Sequence, residues 1–249
     1  MCYDVSFASD LQRMAEYLPT LNIPEGIDFS NHDHVMAQAF SPYPIVLNED
    51  GQLALRMFEW GLIAGYMNTP EKIKKGRSFM CNAQSEKILH DKGSYWHRIR
   101  KQRCLIPVTG IFEHREIAGW KHKVPYFVRE KRREIFSIPG LYNYAPDTAT
   151  GEAIGTYTLI TRSANSVMEK IHNGGSRDER MPMFLADKKM ELKWLDPELT
   201  DKGIDEVLDY EIPSDHLDYH PVFTIRSPKA RPDGRDKTAE YEWKDLPAL

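Results

Sequence analysis

The sequence predicts an α+β fold with a largely antiparallel sheet, because predicted strands outnumber helices and most strands are joined by short turns. Its 249 residues, 41% of them hydrophobic and 28% charged, have the ordinary composition of a globular protein and can bury a sizeable core. No apolar run approaches the ~20 residues that a membrane-spanning helix needs. We therefore expect a folded chain that does not cross a membrane.

Short apolar runs rich in β-branched and aromatic residues predict the strands. In chain order these are residues 45–47, 53–60, 104–107, 126–129, 135–138 and 157–161. The first two flank an Asn-Glu-Asp-Gly turn at 48–51, and the fourth and fifth flank a charged turn. Each of these two pairs is therefore expected to form a hairpin.

Helical periodicity and capping signals predict the helices. These are residues 10–18, 84–101 with a break at Gly93, 164–172, 187–195 and 200–208. Ser9 followed by Gln12 can form a capping box at the start of the first helix. The tail from Ser227 is polar and contains prolines. We therefore divide the chain into a domain of residues 1–226 and an arm of residues 227–249 that runs over the surface or is partly disordered.

Charge and cysteine content exclude several classes of protein. A net charge of −4 argues against coating nucleic acid by bulk charge, so any such contact must come from a local basic patch. The cysteines are Cys2, Cys81 and Cys104, and their odd number without a CxxC pair argues against a disulfide framework or a thiolate zinc site. The first ten residues lack a secretory signal, which indicates the cytoplasm. No metal or organic cofactor is expected.

Cys2 becomes the first residue if Met1 is removed, and an N-terminal cysteine carries a thiol and an α-amine on adjacent carbons. The amine has a reference pKa of ~7.7–8.0 and the thiol of ~8.5, so both are partly reactive near neutral pH. Together they can condense with an aldehyde, the amine forming an imine and the thiol closing a five-membered thiazolidine. The thiolate alone could attack a carbonyl. Without further support, a cysteine at position 2 is most often incidental.

Three further side chains are candidates for chemistry, and each also has a purely structural interpretation. Asn82 could cap a helix or contact the Cys2 amine. Glu113 ends the largely apolar segment 103–113, where burial would raise its pKa and suit it to acid–base catalysis, or it faces solvent at a strand end. His172 ends a helix, where the helix dipole would stabilise it, or it donates a proton beside the site.

The combination of these segments is more specific than its parts. Cys2 is followed, in order, by Asn82-Ala83-Gln84-Ser85-Glu86, RCLIPVTGIFE at 103–113, ANSVMEKIHN at 164–173 and RMP at 180–182. This order resembles the SOS-response-associated peptidase family, and the likeness extends from Met1 to Val222. The start departs from the family pattern M-C-G-R-F, because Tyr3 and Asp4 replace its Gly-Arg, and His114 stands where Trp is common.

The resemblance implies a bifurcated sheet with a small barrel, flanked by helices, and a sensor of abasic sites in single-stranded DNA. It implies that Cys2 forms a thiazolidine with the ring-opened sugar and that Asn82 positions this nucleophile. Glu113 would act as the acid–base, and His172 would assist sugar opening and proton transfer. It also implies a thiol autopeptidase, hydrolase- or lyase-like, that removes Met1. We expect a monomer in the cytoplasm that associates with the nucleoid during DNA damage.

Basic and aromatic residues near these motifs are the candidates for DNA contact. Arg77, Lys75 and Arg103 could bind phosphates. Trp60 and Phe112 could stack on bases or pack in the core. The replacement of Arg by Asp at position 4 removes a natural phosphate contact and places a charge there that repels DNA.

Two other functions stay open at this point. One is a cysteine peptidase that acts on protein substrates, with Glu113 and His172 as its acid–base pair. The other is a noncovalent single-stranded DNA-binding module that has kept the fold and lost the reaction.

Overall fold

The structure is a computed structural model that describes residues 2–147, 150–174, 179–227 and 230–249. It confirms the predicted α+β class. The strands are β1 (Asp4–Phe7), β2 (His32–Met36), β3 (Pro42–Glu49), β4 (Gln52–Trp60), β5 (Asn82–Gln84), β6 (Arg103–Val108), β7 (Gly110–Arg115), β8 (Val124–Glu130), β9 (Phe136–Pro146), β10 (Ala153–Ser163), β11 (Arg180–Pro182) and β12 (Leu217–Pro221). The α-helices are α1 (Met14–Tyr17), α2 (Pro70–Gly76), α3 (Glu86–Leu89), α4 (Tyr95–Arg98), α5 (Ser166–Ile171), α6 (Lys188–Leu195) and α7 (Asp201–Leu208).

Five strands close into a barrel in the order β10-β4-β3-β6-β9, because β9 pairs with both β6 and β10. Closure leaves these strands without an open edge. β10 is long enough to leave the barrel: residues 153–159 pair with β9, and residues 159–163 pair with β5 and β11. The sheet therefore forks at Leu159, and the bifurcated sheet with a small barrel is confirmed.

The second sheet has the order β12-β8-β7-β1-β2, and its pairings are antiparallel. β1 lies beside β7 with Val5 opposite Ile111. On the other side of β7, Gly110 leaves room for the Phe127 ring of β8, because a Cβ there would lie 2.3 Å from that ring. The register brings the residues at the start of β1 to the end of β7, where Glu113 lies.

One of the two predicted hairpins is confirmed and the other is wrong. β3 and β4 form a hairpin through Asp50 and Gly51, which both have positive φ, as a two-residue type I′ turn requires. The strands predicted at 126–129 and 135–138 exist as β8 and β9, but they belong to different sheets. Both strands are largely buried and have partners on both edges, so their neighbours are chosen by packing and not by closeness in sequence.

The helix predictions hold best where the helix is continuous. The segments predicted at 164–172, 187–195 and 200–208 contain α5, α6 and α7. The first helix is a 3-10 turn followed by α1, and Asp10, not Ser9, caps it by accepting from the Gln12 amide. The segment 84–101 contains only the short helices α3 and α4. No helix in the described part of the chain is long and apolar enough to span a bilayer.

Residues 230–249 pack along the second sheet. The Trp243 indole donates to the Val222 carbonyl at 3.0 Å, and the Arg115 guanidinium donates to the carbonyls of Pro247 and Ala248. The His220 ring contacts the Thr238 carbonyl at 2.7 Å. These contacts fix the course of the segment, while the boundary at residue 226 stays a prediction.

Candidate active site

The pairing of β1 with β7 brings Cys2 to Glu113. The Cys2 side chain is completely buried, interacts with the Glu113 carboxyl group, and has its Sγ 3.6 Å from the Asp4 carbonyl oxygen. Burial raises the pKa of the Cys2 thiol well above its usual value, and the nearby Glu113 raises it further. The thiol is therefore protonated at neutral pH and does not act as a preformed thiolate.

Glu113 and His172 are neighbours whose pKa values are shifted in opposite directions. Burial raises the pKa of Glu113 to about 8, whereas burial lowers the pKa of His172 below 6.5. At neutral pH the carboxyl group is therefore protonated and the imidazole is neutral. The His172 Nε2 lies 3.9 Å from the Glu113 Oε2, which is too long for a direct hydrogen bond but within reach through small movements.

The tautomer of His172 follows from its second ring nitrogen. His172 follows α5, and its Nδ1 lies 2.7 Å from the carbonyl oxygen of Arg180 on β11. Because a carbonyl only accepts, Nδ1 carries the proton and Nε2 keeps its lone pair. The ring therefore presents a proton acceptor toward Glu113, and such a division between a neutral acid and a neutral base is typical of catalytic sites.

Asn82 begins β5 opposite Leu159, at the fork of the sheet, and does not cap a helix. Its side chain is buried, and neither Nδ2 nor Oδ1 has a hydrogen-bond partner among the described residues. The Oε1 atom of Glu113 is likewise buried and has no hydrogen-bond partner among the described residues. An unpaired buried amide or carboxyl costs about 1–3 kcal/mol, so these atoms mark a place where a ligand can supply the partner.

The first residues of β1 connect these groups. The Tyr3 hydroxyl interacts electrostatically with the thiols of Cys2 and Cys81 and with Glu113. Since Cys81 directly precedes Asn82, the start of β5 lies on the same side of the molecule as Cys2. A pocket of about 250 Å³ opens here, lined by Tyr3, Asp4, Glu113, His114, Lys123, His172, Gly174 and Arg226. It is smaller than typical drug-sized sites of ~300–1,000 Å³ and suits one small group.

Asp4 is not an exposed negative charge. Its carboxylate is buried, with Oδ1 lying 2.8 Å from the His34 Nε2 and 3.0 Å from the Arg226 Nε, while Oδ2 accepts from a second Arg226 nitrogen. Burial alone would raise the pKa of Asp4, but the hydrogen bonds from His34 and Arg226 hold it below its usual value. The repulsion of DNA expected from the sequence is therefore neutralised within the protein.

The aromatic residues selected from the sequence pack in the core, which is the second of the two alternatives considered for them. Trp60 and Phe112 are each 1% exposed. The Trp60 indole donates to the Cys81 carbonyl at 2.9 Å and its ring stacks on Tyr157, while Phe112 packs against Phe127. Trp60 thus supports the segment that carries Asn82, and neither ring presents a face to solvent.

Two of the three basic residues selected from the sequence are used inside the protein. Arg77 donates to the Glu59 carboxylate at 2.6 Å and to the Gly61 carbonyl at 2.8 Å. Arg103 is buried and donates to the Trp194 carbonyl at 2.8 Å. Lys75 is exposed in the last turn of α2. Only Lys75 of the three is positioned to meet a phosphate without breaking an internal contact.

Sequence reasoning missed two exposed aromatic residues beside α2. Phe79 is 79% exposed and Tyr66 is 55% exposed, although large aromatic rings usually avoid water. Phe79 lies between the lysine-rich helix α2 and Asn82, in a segment without apolar periodicity. This position in the sequence could have indicated that its ring is exposed. Arg226 was also missed, because it lies beyond the last recognised motif.

Comparisons with known proteins identify the family of this chain. Residues 1–225 match the model of a family described as SOS response associated peptidase. The abasic site processing protein YoqW of Bacillus subtilis is 30% identical over 185 residues, which cover 74% of this chain and 76% of that protein. The abasic site processing protein HMCES of Xenopus tropicalis is 25% identical over 197 residues, 71% of this chain and 55% of HMCES.

Solved structures share the same fold. A crystal structure of a Bacteroides thetaiotaomicron protein superposes with a TM-score of 0.78 at 29% identity, covering 89% of this chain and 92% of that one. A Bordetella bronchiseptica protein superposes with a TM-score of 0.73 at 22% identity, covering 90% of this chain and 100% of that one. The fold, the order of the motifs and the family match over residues 1–225 together show that this chain belongs to the SOS response associated peptidase family.

Proposed function

We propose that this protein processes abasic sites and that Cys2 joins it covalently to the abasic sugar in single-stranded DNA. The observation that carries the proposal is the contact of Cys2 with a carboxyl group that is protonated at neutral pH, with a neutral imidazole 3.9 Å away. The relatives named as abasic site processing proteins support the choice of substrate. The small pocket suits one sugar better than an extended peptide, which disfavours a peptidase acting on other proteins.

The reaction requires that residue 1 be removed first, because an acylated Cys2 nitrogen cannot form an imine. In the proposed autopeptidase step, the Cys2 thiol attacks the carbonyl of the preceding peptide bond and forms a thioester as the peptide C–N bond breaks. Glu113 protonates the leaving nitrogen and takes up the proton that the thiol releases, and water then hydrolyses the thioester. The products are free methionine and a chain whose first residue is Cys2.

An abasic sugar is mostly a closed hemiacetal, so its ring must open before it can react. We assign His172 Nε2 as the base that takes the proton of the anomeric hydroxyl, while Glu113 donates its proton to the ring oxygen as the C–O bond breaks. Proton return from the imidazolium to the Glu113 carboxylate restores both groups. The net change is an isomerisation to the open-chain aldehyde.

The Cys2 amine then adds to the aldehyde carbon. Glu113 protonates the hydroxyl of this adduct, which leaves as water, and the resulting iminium returns a proton to Glu113 and becomes the imine. The neutral thiol adds across the C=N bond, with sulfur bonding to carbon and the proton passing to nitrogen. One water is lost overall and a thiazolidine forms. Asn82 supplies the buried amide that orients the amine or the sugar hydroxyl.

Replacement of Cys2 by Ala is expected to abolish the denaturation-resistant adduct with single-stranded DNA that carries one abasic site. The measurement is gel mobility under denaturing conditions, with mass spectrometry to establish that Met1 is absent from the wild-type chain. Cys104→Ala is the matched control, because that thiol is equally buried but lies in β6 of the barrel.

Two other outcomes would contradict the covalent mechanism. An adduct that persists in Cys2→Ala would place the nucleophile elsewhere. A wild-type protein that lacks Met1, binds the DNA in a salt-sensitive manner and never forms the adduct would instead be a noncovalent module.

The surface around α2 is our proposed path for the DNA strand. It consists of the exposed lysines Lys72, Lys74 and Lys75 and the exposed rings of Phe79 and Tyr66. Lysines track a phosphate backbone, and aromatic rings stack on bases in proteins that bind single strands. Phe79 lies three residues before Asn82, so a base on its ring would be close along the chain to the proposed sugar site.

Phe79→Ala is expected to weaken noncovalent binding of single-stranded DNA by roughly 5- to 150-fold, since stacking contributes ~1–3 kcal/mol per base. Fluorescence anisotropy with the Cys2→Ala protein as parent measures this without adduct formation. Tyr144→Ala is the control, because Tyr144 is 50% exposed but lies on β9 away from α2. An equal loss in both variants would remove Phe79 from the proposed path.

A further inference from the structure

We infer that Arg226 binds a phosphodiester of the substrate at the mouth of the pocket that Glu113 and His172 line. The inference rests on the proposed function and extends it by assigning a phosphate-binding residue outside the recognised motifs. Arg226 follows directly after residues 1–225, the part of the chain that matches the family model. It reaches the pocket because its guanidinium pairs with Asp4, 222 positions away in sequence.

The geometry leaves part of the Arg226 guanidinium available to a ligand. Two of its nitrogens hold the Asp4 carboxylate through parallel hydrogen bonds. A guanidinium has five N–H donors, and the remaining ones have no partner among the residues that the structure describes. The side chain is 45% exposed, whereas the Asp4 side chain is only 3% exposed. The positive end of the pair therefore faces the pocket and the negative end faces the protein.

The Asp4 contact positions Arg226 at the mouth of the pocket. A bidentate carboxylate holds the planar guanidinium in one orientation, which reduces the conformational entropy lost when a ligand binds. His34 shares the Asp4 carboxylate at 2.8 Å and so takes up part of the buried negative charge. A phosphate oxygen that meets the outer edge of Arg226 then gains charge-assisted hydrogen bonds from the donors that Asp4 leaves unused.

Other pocket residues are less suited to bind an anion. The Lys123 ammonium donates to the Gly174 carbonyl at 3.0 Å and lies 3.3 Å from a Glu116 carboxylate oxygen. The pKa values of His114 and His172 are lowered by burial, so both rings are neutral at pH 7. Among the described residues that line the pocket, Arg226 is the cation with the most unused donors, since Asp4 takes only two of its five N–H groups. A phosphodiester beside the abasic sugar supplies the matching anion.

The test uses Arg226→Gln in the Cys2→Ala background and measures the affinity for abasic single-stranded DNA over a range of salt concentrations. Loss of one phosphate contact is expected to weaken binding about tenfold at low salt. It should also reduce the magnitude of the slope of log K against log salt by about 0.7. Arg226→Lys should keep that slope, and Arg129→Gln is the control, because Arg129 is a half-exposed arginine on β8 that pairs with Asp218.

A second measurement separates phosphate binding from a structural role. Free 2-deoxyribose carries no phosphate, so Arg226→Gln with an intact Cys2 should lose about tenfold more rate with abasic DNA than with this sugar. Equal slowing with both substrates, or an unchanged salt slope, would overturn the inference. A wild-type protein that forms no adduct would defeat the proposed function instead, and the salt slope would still report on Arg226.

Discussion

Replacement of Glu113 by Gln is expected to slow adduct formation by roughly 10²- to 10⁴-fold, the usual contribution of a positioned general acid–base. Glutamine keeps the size and hydrogen-bonding capacity of the neutral carboxyl group but cannot transfer a proton. The same acid is needed for ring opening and for loss of water, so both abasic DNA and an open-chain aldehyde should react slowly. Denaturing gels with DNA and mass spectrometry with a small aldehyde measure the two rates.

The same variant should change how stability depends on pH. The pKa of Glu113 is about 8 in the folded protein against an ordinary value of 4.5, because burial disfavours the charged form. Between these values the folded state holds a proton that the unfolded state has released, so the free energy of unfolding falls as pH rises, by about 1.4 kcal/mol per pH unit. Glu113→Gln has no such proton, and it should therefore be more stable than wild type at pH 8 and lose this slope.

Glu191→Gln is the matched control for both measurements. Glu191 is also buried, burial also raises its pKa, and its carboxylate lies 3.0 Å from Arg133, away from the pocket residues. This variant should alter the pH dependence of stability but leave adduct formation unchanged. A Glu113→Gln protein that reacts at the wild-type rate would show that the buried acid is structural.

A site residue could be predicted from the sequence where the neighbouring residues in the chain determine its surroundings. Glu113 follows an apolar run, and burial of that run is what raises its pKa. The tautomer of His172 could not be predicted, because it depends on the Arg180 carbonyl of a neighbouring strand. The placement of Asn82 in a strand and not at a helix cap likewise depends on its pairing with β10.

Contacts between distant segments account for most of what the sequence did not reveal. Asp4 looked repulsive toward DNA because its partner, Arg226, lies at the other end of the chain. The sequence left base stacking and core packing open for Trp60 and Phe112, because composition does not show which face of a strand is covered. The strands β8 and β9 looked like a hairpin because a short charged loop joins them, yet the loop passes from one sheet to the other. The longer strands and the helices α5, α6 and α7 were predicted from local periodicity, whereas elements such as β1, β2, β5 and α2 were not predicted.

His172→Asn is expected to slow the reaction with abasic DNA by about 10²-fold and to leave the reaction with an open-chain aldehyde nearly unchanged. Asparagine can keep a donor near the position of Nδ1 and so preserve the hydrogen bond to the Arg180 carbonyl, while the Nε2 base is lost. The difference between the two substrates arises because only the cyclic sugar needs a base to open its ring. This separates His172 from Glu113, whose replacement slows both reactions.

His220→Gln is the matched control for His172→Asn, because the His220 ring also contacts a backbone carbonyl, that of Thr238 at 2.7 Å, but does so next to β8 and away from the pocket. It should react like wild type with both substrates. Equal slowing of the two substrates by His172→Asn would mean that the imidazole only supports the position of Glu113. Ring opening would then have to proceed through Glu113 alone, and His172 would not be the base that we propose.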